Sequence, residues 1–297
     1  MTVLITHTDF DGIASAVLIS SVEPVAEIRF AEPGDMQKGR VLVPSGAIIS
    51  DLPYHPKVGK WFDHHATVKP TKKFEGSFVP SEKSCARVIY DYYDNPFLRE
   101  KFSKMVDAAD QIDTADYTKK DVRTPTGYYL LSLTLDGGDS ASDARGYRLL
   151  LIELLKRLSL EKILEMPVVK ARVDAALERQ AAVEKLLPKL TTVVGKVAIV
   201  DYRKASAGAK NWGGRFLVYL QNPDCVASIR VRLSKAGNVD IGIGQNIFFR
   251  SMKTDLGALC AEFGGGGHHA AAGCSVREED AEATLRKMVE RINAENK

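Results

Sequence analysis

The chain lacks most of the bulk features that mark a specialised protein class. Its four cysteines, Cys85, Cys225, Cys260 and Cys274, are scattered with no C-x-x-C pair, which argues against a zinc knuckle or a disulfide framework and for reduced thiols. No segment approaches the roughly 20 consecutive apolar residues that span a bilayer, and no tract is of low complexity. Met1 to Ile5 run straight into a strand-like segment without a basic leader or a small-residue cleavage site, so a cytoplasmic protein is expected. The net charge of +3 is small; it allows an acidic ligand at a local site but not the wrapping of long duplex nucleic acid by bulk charge. What is present is a globular composition, 45% hydrophobic and 27% charged over 297 residues, a length for which two domains are the prior expectation.

Polar residues follow apolar runs at regular intervals in the first third. Thr2-Val3-Leu4-Ile5 reads as a buried parallel strand that ends in His7-Thr8-Asp9-Phe10-Asp11-Gly12, and Ile13 to Ser20 then has helical spacing. In an extended segment alternate side chains share a face, so His7, Asp9 and Asp11 are expected to point together and to suit a cation; the competing reading makes Asp11 a helix cap. Val25 to Phe30 is a second strand, Ala47 to Ser50 a third that ends in Asp51, and Lys60-Trp61-Phe62 a fourth that feeds Asp63-His64-His65. Two adjacent imidazoles behind a carboxylate are poor core residues, because each ring needs polar partners once buried. Carboxylates and imidazoles at strand ends instead lie where open α/β sheets place their ligands.

From Ser81 the pattern turns helical, with helices expected over 84–93 and 97–112. Leu98, Phe102, Met105, Ala109 and Ile112 form the inward stripe of the second helix. Asp107 falls opposite that stripe, Asp110 at its border and Asp113 near its centre, and an inward carboxylate needs compensation. Asp113 is therefore the first choice as a further metal ligand and Asp110 the second. A turn over 136–139, a helix over 147–158 and a long amphipathic helix over 171–190, halted near Pro188, follow. The long helix either connects domains or supplies a dimer interface. Beyond residue 192 come a strand over 196–200, a helix over 212–221, a strand over 227–232 with its arginines on one face, a helix over 256–263 and a closing helix over 278–293. Between the last two lies Gly264-Gly265-Gly266-Gly267-His268-His269-Ala270-Ala271-Ala272-Gly273. Glycines in such a run let backbone approach a ligand, and their N–H groups, with a following helix N-terminus, are expected to hold an anion beside His268 and His269. Arg230 offers a bidentate grip on phosphate.

These segments resemble, in order, the motifs of the DHH phosphoesterase superfamily: His7-Thr8-Asp9-Phe10-Asp11-Gly12, the isolated Asp51, Asp63-His64-His65 and a later helical aspartate. The glycine-histidine segment resembles the signature of the associated C-terminal substrate-binding domain. The resemblance covers essentially the whole chain and implies an α/β protein. Its N-terminal parallel-sheet domain, residues 1–190 including the linker helix, would be joined to a smaller α/β domain, residues 191–297, with the active site in the cleft. It further implies two manganese ions, with Mg²⁺ or Co²⁺ as possible substitutes. One would be held by His7, Asp9 and Asp51, the other by Asp11, Asp51, His64 and Asp113 or Asp110, with Asp51 bridging. His65 would face the scissile phosphate and Asp63 would orient its neighbours. Arg230, Gly264, Gly265, Gly266, Gly267, His268 and His269 would hold the remainder of the substrate. Among relatives of this kind the compact nano-RNase-like group fits the length best.

The expected chemistry is metal-assisted hydrolysis of a phosphoester, in which divalent ions activate water and neutralise charge on the attacked phosphate. Mixed carboxylate and imidazole donors suit manganese. The expected substrate is a very short oligonucleotide. Adenosine 3′,5′-bisphosphate, a cyclic dinucleotide and polyphosphate are the alternatives, and a non-catalytic nucleotide-binding protein is a more distant one. No membrane partner is expected; a homodimer is possible.

Overall fold

The structure is a computed structural model and describes residues 2–65, 69–135, 140–205, 214–234 and 237–297. The turn expected over 136–139 and the first part of the helix expected over 212–221 lie outside the described residues. Packing divides the chain into two compact units, Met1–Asp116 with Pro125–Asp174, and Tyr117–Thr124 with Ala175–Lys297.

The first unit opens with β1 (Thr2–Thr6), α1 (Phe10–Val22), β2 (Val25–Phe30), α2 (Pro33–Gln37), β3 (Ala47–Ser50), β4 (Val58–Asp63) and β5 (Glu75–Phe78). These strands form one all-parallel sheet in the order β2-β1-β3-β4-β5. The chain moves from β1 outward to β2 and then returns to the other side of β1 with β3. That reversal opens a crevice at the carboxyl ends of β1 and β3, the usual ligand position in such sheets. Strand alternation supplies both faces. Leu4, Ile48 and Phe62 enter the larger core, and Ile5, Ile49 and Trp61 enter a second one with Met36, Val43 and Leu52. Trp61 also donates from Nε1 to the Leu52 carbonyl at 2.9 Å, satisfying its one polar atom.

Helices α3 (Cys85–Tyr93), α4 (Pro96–Asp113), α6 (Gly127–Ser132), α7 (Ala141–Arg157) and α8 (Leu160–Glu165) complete this unit; α5 (Lys119–Arg123) belongs to the second. Ser84 caps α3, and Asn95 followed by Pro96 starts α4, both common N-terminal signals. Helix α1 is buried from Phe10 to Ile19 and packs against α3, α4 and α7. It has no polar face because it has no wet side. Helix α9 (Pro167–Leu190) begins in the first unit and ends in the second, and Pro188 lies inside it. The helix ends at Leu190, two residues past Pro188 and at the bound expected from sequence.

The second unit carries β6 (Thr191–Val194), β7 (Val197–Asp201), α10 (Leu217–Gln221), β8 (Ala227–Leu233), β9 (Val239–Gln245), α11 (Leu256–Ala261), β10 (Gly266–Gly267), β11 (Ala271–Val276) and α12 (Ala281–Glu295). Its mixed sheet runs β10-β11-β9-β8-β7-β6, with only β7 and β8 parallel. Ala227, Ile229 and Val231 enter a core shared with α11 and α12, so Ser228 and Arg230 take the other face of β8. Among the described residues no helix is long and apolar enough to cross a membrane.

Candidate metal centre

His7, Asp9 and Asp11 converge, but not as three residues of one extended strand. β1 ends at Thr6, Asp9 is the N-cap of α1, and Asp11 lies in that helix's first turn. Asp9 Oδ1 accepts from Gly12 N–H at 3.0 Å while its Oδ2 lies 3.0 Å from His7 Nδ1. Asp11 is not the cap. Its carboxylate accepts from Cys85 N–H at 2.7 Å and Ala86 N–H at 2.8 Å, the first amides of α3, where the helix dipole favours negative charge. A Cβ on Gly12 would fall 2.3 Å from the His7 carbonyl oxygen, so only glycine lets α1 start this close to the strand. Thr6 donates to the Gly12 carbonyl at 2.9 Å and accepts from Ser50 at 2.9 Å, tying β1, β3 and α1 together beneath the site.

Asp51 follows β3 with φ of 56°, the left-handed region that aspartate tolerates better than most residues. Its side chain is 1% exposed, and among the described residues Oδ2 has no hydrogen-bond partner, the nearest imidazole nitrogen being His7 Nδ1 at 3.4 Å. On the other side, Asp51 Oδ1 lies 3.9 Å from His64 Nε2 and 3.8 Å from His65 Nδ1. Asp51 is therefore shared between two groups of ligand-competent atoms.

His64 and His65 leave β4 with their rings 4.4 Å apart. His64 Nδ1 lies 3.1 Å from the Glu82 carbonyl oxygen, an acceptor that fixes the proton on Nδ1. The Nε2 lone pair then faces Asp113 Oδ2 at 3.4 Å and Asp11 Oδ2 at 3.8 Å, and this buried nitrogen has no hydrogen-bond partner. Asp63 is fully buried. Its Oδ1 lies 2.7 Å from His65 Nδ1 and accepts from the backbone N–H groups of His64 and His65.

Of the two helical aspartates weighed from sequence, Asp113 is the one beside His64. Asp110 accepts from Ser84 Oγ at 2.6 Å and from Arg87 Nε and Nη2 at 2.9 and 2.8 Å, which joins α3 to α4. Asp107 also meets Arg87, at 2.6 Å, on the wet face. Glu32 was not among the residues singled out from sequence. It follows β2, and its Oε2 lies 3.4 Å from His7 Nε2 while its Oε1 accepts from the Thr8 hydroxyl at 2.6 Å. The signal was a carboxylate just past a strand end, the same signal that marked Asp51.

Among the described residues, three sets of atoms come within 4.8 Å of one another: His7, Asp9 and Asp51; Asp51, His64 and His65; and Asp11, His64 and Asp113. Crowding of this kind perturbs the acids and bases. Burial, then the charge of Asp113, pushes the Asp11 carboxyl up to about 7, and burial with Asp11 and Asp9 raises Asp51 well above the usual carboxylate range. Burial alone would lower the His7 imidazole, but Asp9, Asp51 and Glu32 override it and raise it. Burial opposes ionisation of Asp9 too, yet the His7 charge brings it down to about 2. Desolvation pulls His65 down and the Asp63 hydrogen bond more than reverses it. Two carboxylates that cannot comfortably ionise, together with the unsatisfied Asp51 Oδ2 and His64 Nε2, fit a divalent cation as the missing partner.

In the second unit the glycine-histidine segment is a hairpin. Gly266 and Gly267 form β10, paired antiparallel with β11, and the next element is that strand, not the helix N-terminus expected from sequence. Consecutive glycines here serve close backbone packing. A Cβ on Gly265 would meet the Gly273 carbonyl oxygen at 2.1 Å, and one on Gly267 would meet Ala272 Cα at 2.5 Å, whereas Gly266 has nothing within 4 Å. Gly264 has a φ of 74°. His269 Nδ1 lies 3.7 Å from Asp255, and His268 closes the turn through its backbone to Ala271. Burial, and then the like charge of Arg215, lowers the Arg230 guanidinium below its ordinary value, so an anion at this face would relieve it.

A scan against protein-family models found no match, and a search of curated proteins found none either. Solved structures do match. A pGpG-specific phosphodiesterase, PggH, from Vibrio cholerae is similar over 99% of this chain and 100% of its own, with 31% identity and a TM-score of 0.80. The DHH domain of a member of the s1p family of ribosomal proteins is similar over 100% of this chain and 87% of its own, at 14% identity and a TM-score of 0.61. RecJ in complex with Mn²⁺ from Thermus thermophilus matches 99% of this chain at 14% identity and a TM-score of 0.59, and the chain spans 52% of that protein. The last two likenesses concern the fold.

Proposed function

The chain belongs to the DHH phosphoesterase superfamily, and on that premise we propose that it is a phosphodiesterase acting on linear dinucleotides of the pGpG kind. Membership makes it a metal-dependent phosphoester hydrolase. The observation that carries the chemistry is Asp51, buried and shared between His7 with Asp9 and His64 with His65. The substrate class rests on the full-length likeness to PggH, which favours a dinucleotide over adenosine 3′,5′-bisphosphate, cyclic dinucleotides or polyphosphate.

His7, Asp9 and Asp51 would hold one divalent ion, and Asp11, Asp51, His64 and Asp113 a second. Manganese is the proposed ion, on the mixed nitrogen and oxygen donors. Such ions supply Lewis acidity toward a phosphoryl oxygen and lower the pKa of water. The remaining work falls to the chain. Asp63 holds His65 by its Nδ1 and, by favouring the charged ring, keeps a proton available for a non-bridging phosphate oxygen. Glu82 fixes the His64 tautomer, so that its Nε2 serves as a ligand and not as a proton donor. Asp11, held by two α3 amides, keeps its place when protonation of its neighbours changes. Arg230, the glycine segment, His268 and His269 are proposed to bind the rest of the substrate through its phosphate, with Gly266 the glycine free to take a close contact.

The test is hydrolysis by purified protein with Mn²⁺ or Mg²⁺ of pGpG, other 5′-phosphorylated dinucleotides and longer oligonucleotides, alongside adenosine 3′,5′-bisphosphate, cyclic dinucleotides and polyphosphate. Mononucleotide release from dinucleotides should dominate. Asp51→Asn, which keeps the side-chain shape and the tolerance of left-handed backbone, should reduce the rate by more than about 100-fold, beyond the usual loss from removing a group behind a metal ligand. A preference for polyphosphate or adenosine bisphosphate would overturn the substrate class; an unimpaired Asp51→Asn would overturn the metal centre.

A further inference from the structure

Glu32 occupies the N-cap position of α2 but makes no capping hydrogen bond with its side chain. Glutamate is not among the side chains that favour capping, and its carboxylate is directed elsewhere. It reaches across the carboxyl edge of the sheet to the loop after β1. Oε1 accepts from the Thr8 hydroxyl at 2.6 Å, and Oε2 lies 3.4 Å from His7 Nε2. The backbone prepares this reach. Phe30 pairs with Thr6 at the ends of β2 and β1, and Ala31 N–H donates to the Thr6 carbonyl at 3.0 Å, which brings the two loops side by side. Pro33 then confines Glu32 to extended backbone, observed at φ −97° and ψ 143°.

The His7 ring is consequently divided between two jobs. Its Nδ1 faces Asp9 Oδ2 at 3.0 Å and Asp51 Oδ2 at 3.4 Å, the atoms grouped with it as ligands, while Nε2 faces only Glu32 among the ion-pair partners found in the described residues. A histidine that binds a metal through one nitrogen characteristically gives the N–H of the other to a carboxylate or carbonyl, which sets ring orientation and tautomer. His64 has such a partner in the Glu82 carbonyl, and His65 meets Asp63. We infer that Glu32, braced by the Thr8 hydroxyl, is the positioning residue for His7, holding the proton on Nε2 and directing Nδ1 at the ion shared with Asp9 and Asp51. This rests on the metal-centre reading and extends it to the end of β2. It explains why Thr8, between two ligand residues, carries a hydroxyl: a side chain 56% exposed, as that of Glu32 is, needs a fixed partner to stay aimed.

The test is a Mn²⁺ titration of the metal-stripped full-length protein, with free Mn²⁺ followed by electron paramagnetic resonance and the melting temperature of the stripped protein measured in parallel. Glu32→Ala should raise the Mn²⁺ concentration for half-saturation of one site about 10- to 100-fold, with the stripped protein's melting temperature falling by no more than the few degrees that loss of an exposed pair costs. Glu32→Gln retains an acceptor oxygen and should lose less, and Thr8→Val should shift the titration in the same direction by a smaller factor. A wild-type titration of Glu32→Ala, or a lowered melting temperature with unaltered Mn²⁺ affinity, would overturn the inference. Asp51→Asn separates this from failure of the underlying reading: if it too titrates like the wild type, the metal centre itself is misplaced.

Discussion

At the scale of single residues the site is a set of carboxylates that the metal-free fold holds at a cost. Asp11 is raised to about 7 by burial and by Asp113, and Asp51 is raised by burial and by Asp11. An acid whose pKa is higher in the folded than in the unfolded chain stabilises the fold fully below its unfolded value, near 4, and that contribution is lost as pH rises through the folded value. The metal-stripped protein should therefore lose stability between about pH 4 and pH 7. Bound cations offset the repulsion that appears in that window, so the gain in melting temperature on adding Mn²⁺ should be larger at pH 8 than at pH 5; equal gains at both would contradict the assignment. The same residues show where sequence legibility stops. Strand ends identified His7, Asp51 and His64 because a polar residue after an apolar run needs no tertiary knowledge. Choosing between Asp110 and Asp113 did need it, since only the arrival of Ser84 and Arg87 from another helix accounts for both Asp110 oxygens. Glu32 was passed over because a glutamate before a proline also reads as an ordinary turn or helix start.

Among the elements, the glycine hairpin differs most from its sequence expectation. Four consecutive glycines suggested a run leading into a helix, whereas β10 leads into the paired strand β11, and two of the glycines are demanded by backbone lying within van der Waals distance. Composition reveals that close approach is needed but not what approaches. Gly265→Ala should destabilise the second unit by about 1–3 kcal/mol, the range for forcing an extra carbon into packed structure, as read by urea unfolding. Gly266→Ala meets open space and should leave stability within about 0.5–1 kcal/mol, the intrinsic difference between these residues; if it behaves at the substrate side as proposed, it raises KM with little change in kcat. Loss of stability at Gly266 equal to that at Gly265 would mean the hairpin packs differently. Hydrophobic periodicity and capping residues made the longer helices readable, as at Ser84 and Asn95-Pro96, but not the strands β5, β6, β9 and β11 or the short helices α2, α5, α6 and α8. Helix α9 continues past Pro188 for only two residues, Lys189 and Leu190.

For the whole molecule, each unit has its own core, and every proposed metal ligand lies in the first. Hydrogen exchange in the presence of Mn²⁺ should slow at the ends of β1, β3 and β4 and at the start of α3, with little change in β7, β8 and β9; equal protection of both sheets would indicate stronger coupling than separate cores provide. The chain does not divide between the units at one point, because Tyr117–Thr124 belongs with the later residues and the Val122 carbonyl accepts from Gln180 at 3.0 Å. This interleaving gives the two units different birthdays on the ribosome. The first unit draws on no residue beyond Asp174, while Tyr117–Thr124 emerges before the later residues it groups with. The proposed cation ligands, all before residue 114, are thus translated well before the second unit is complete.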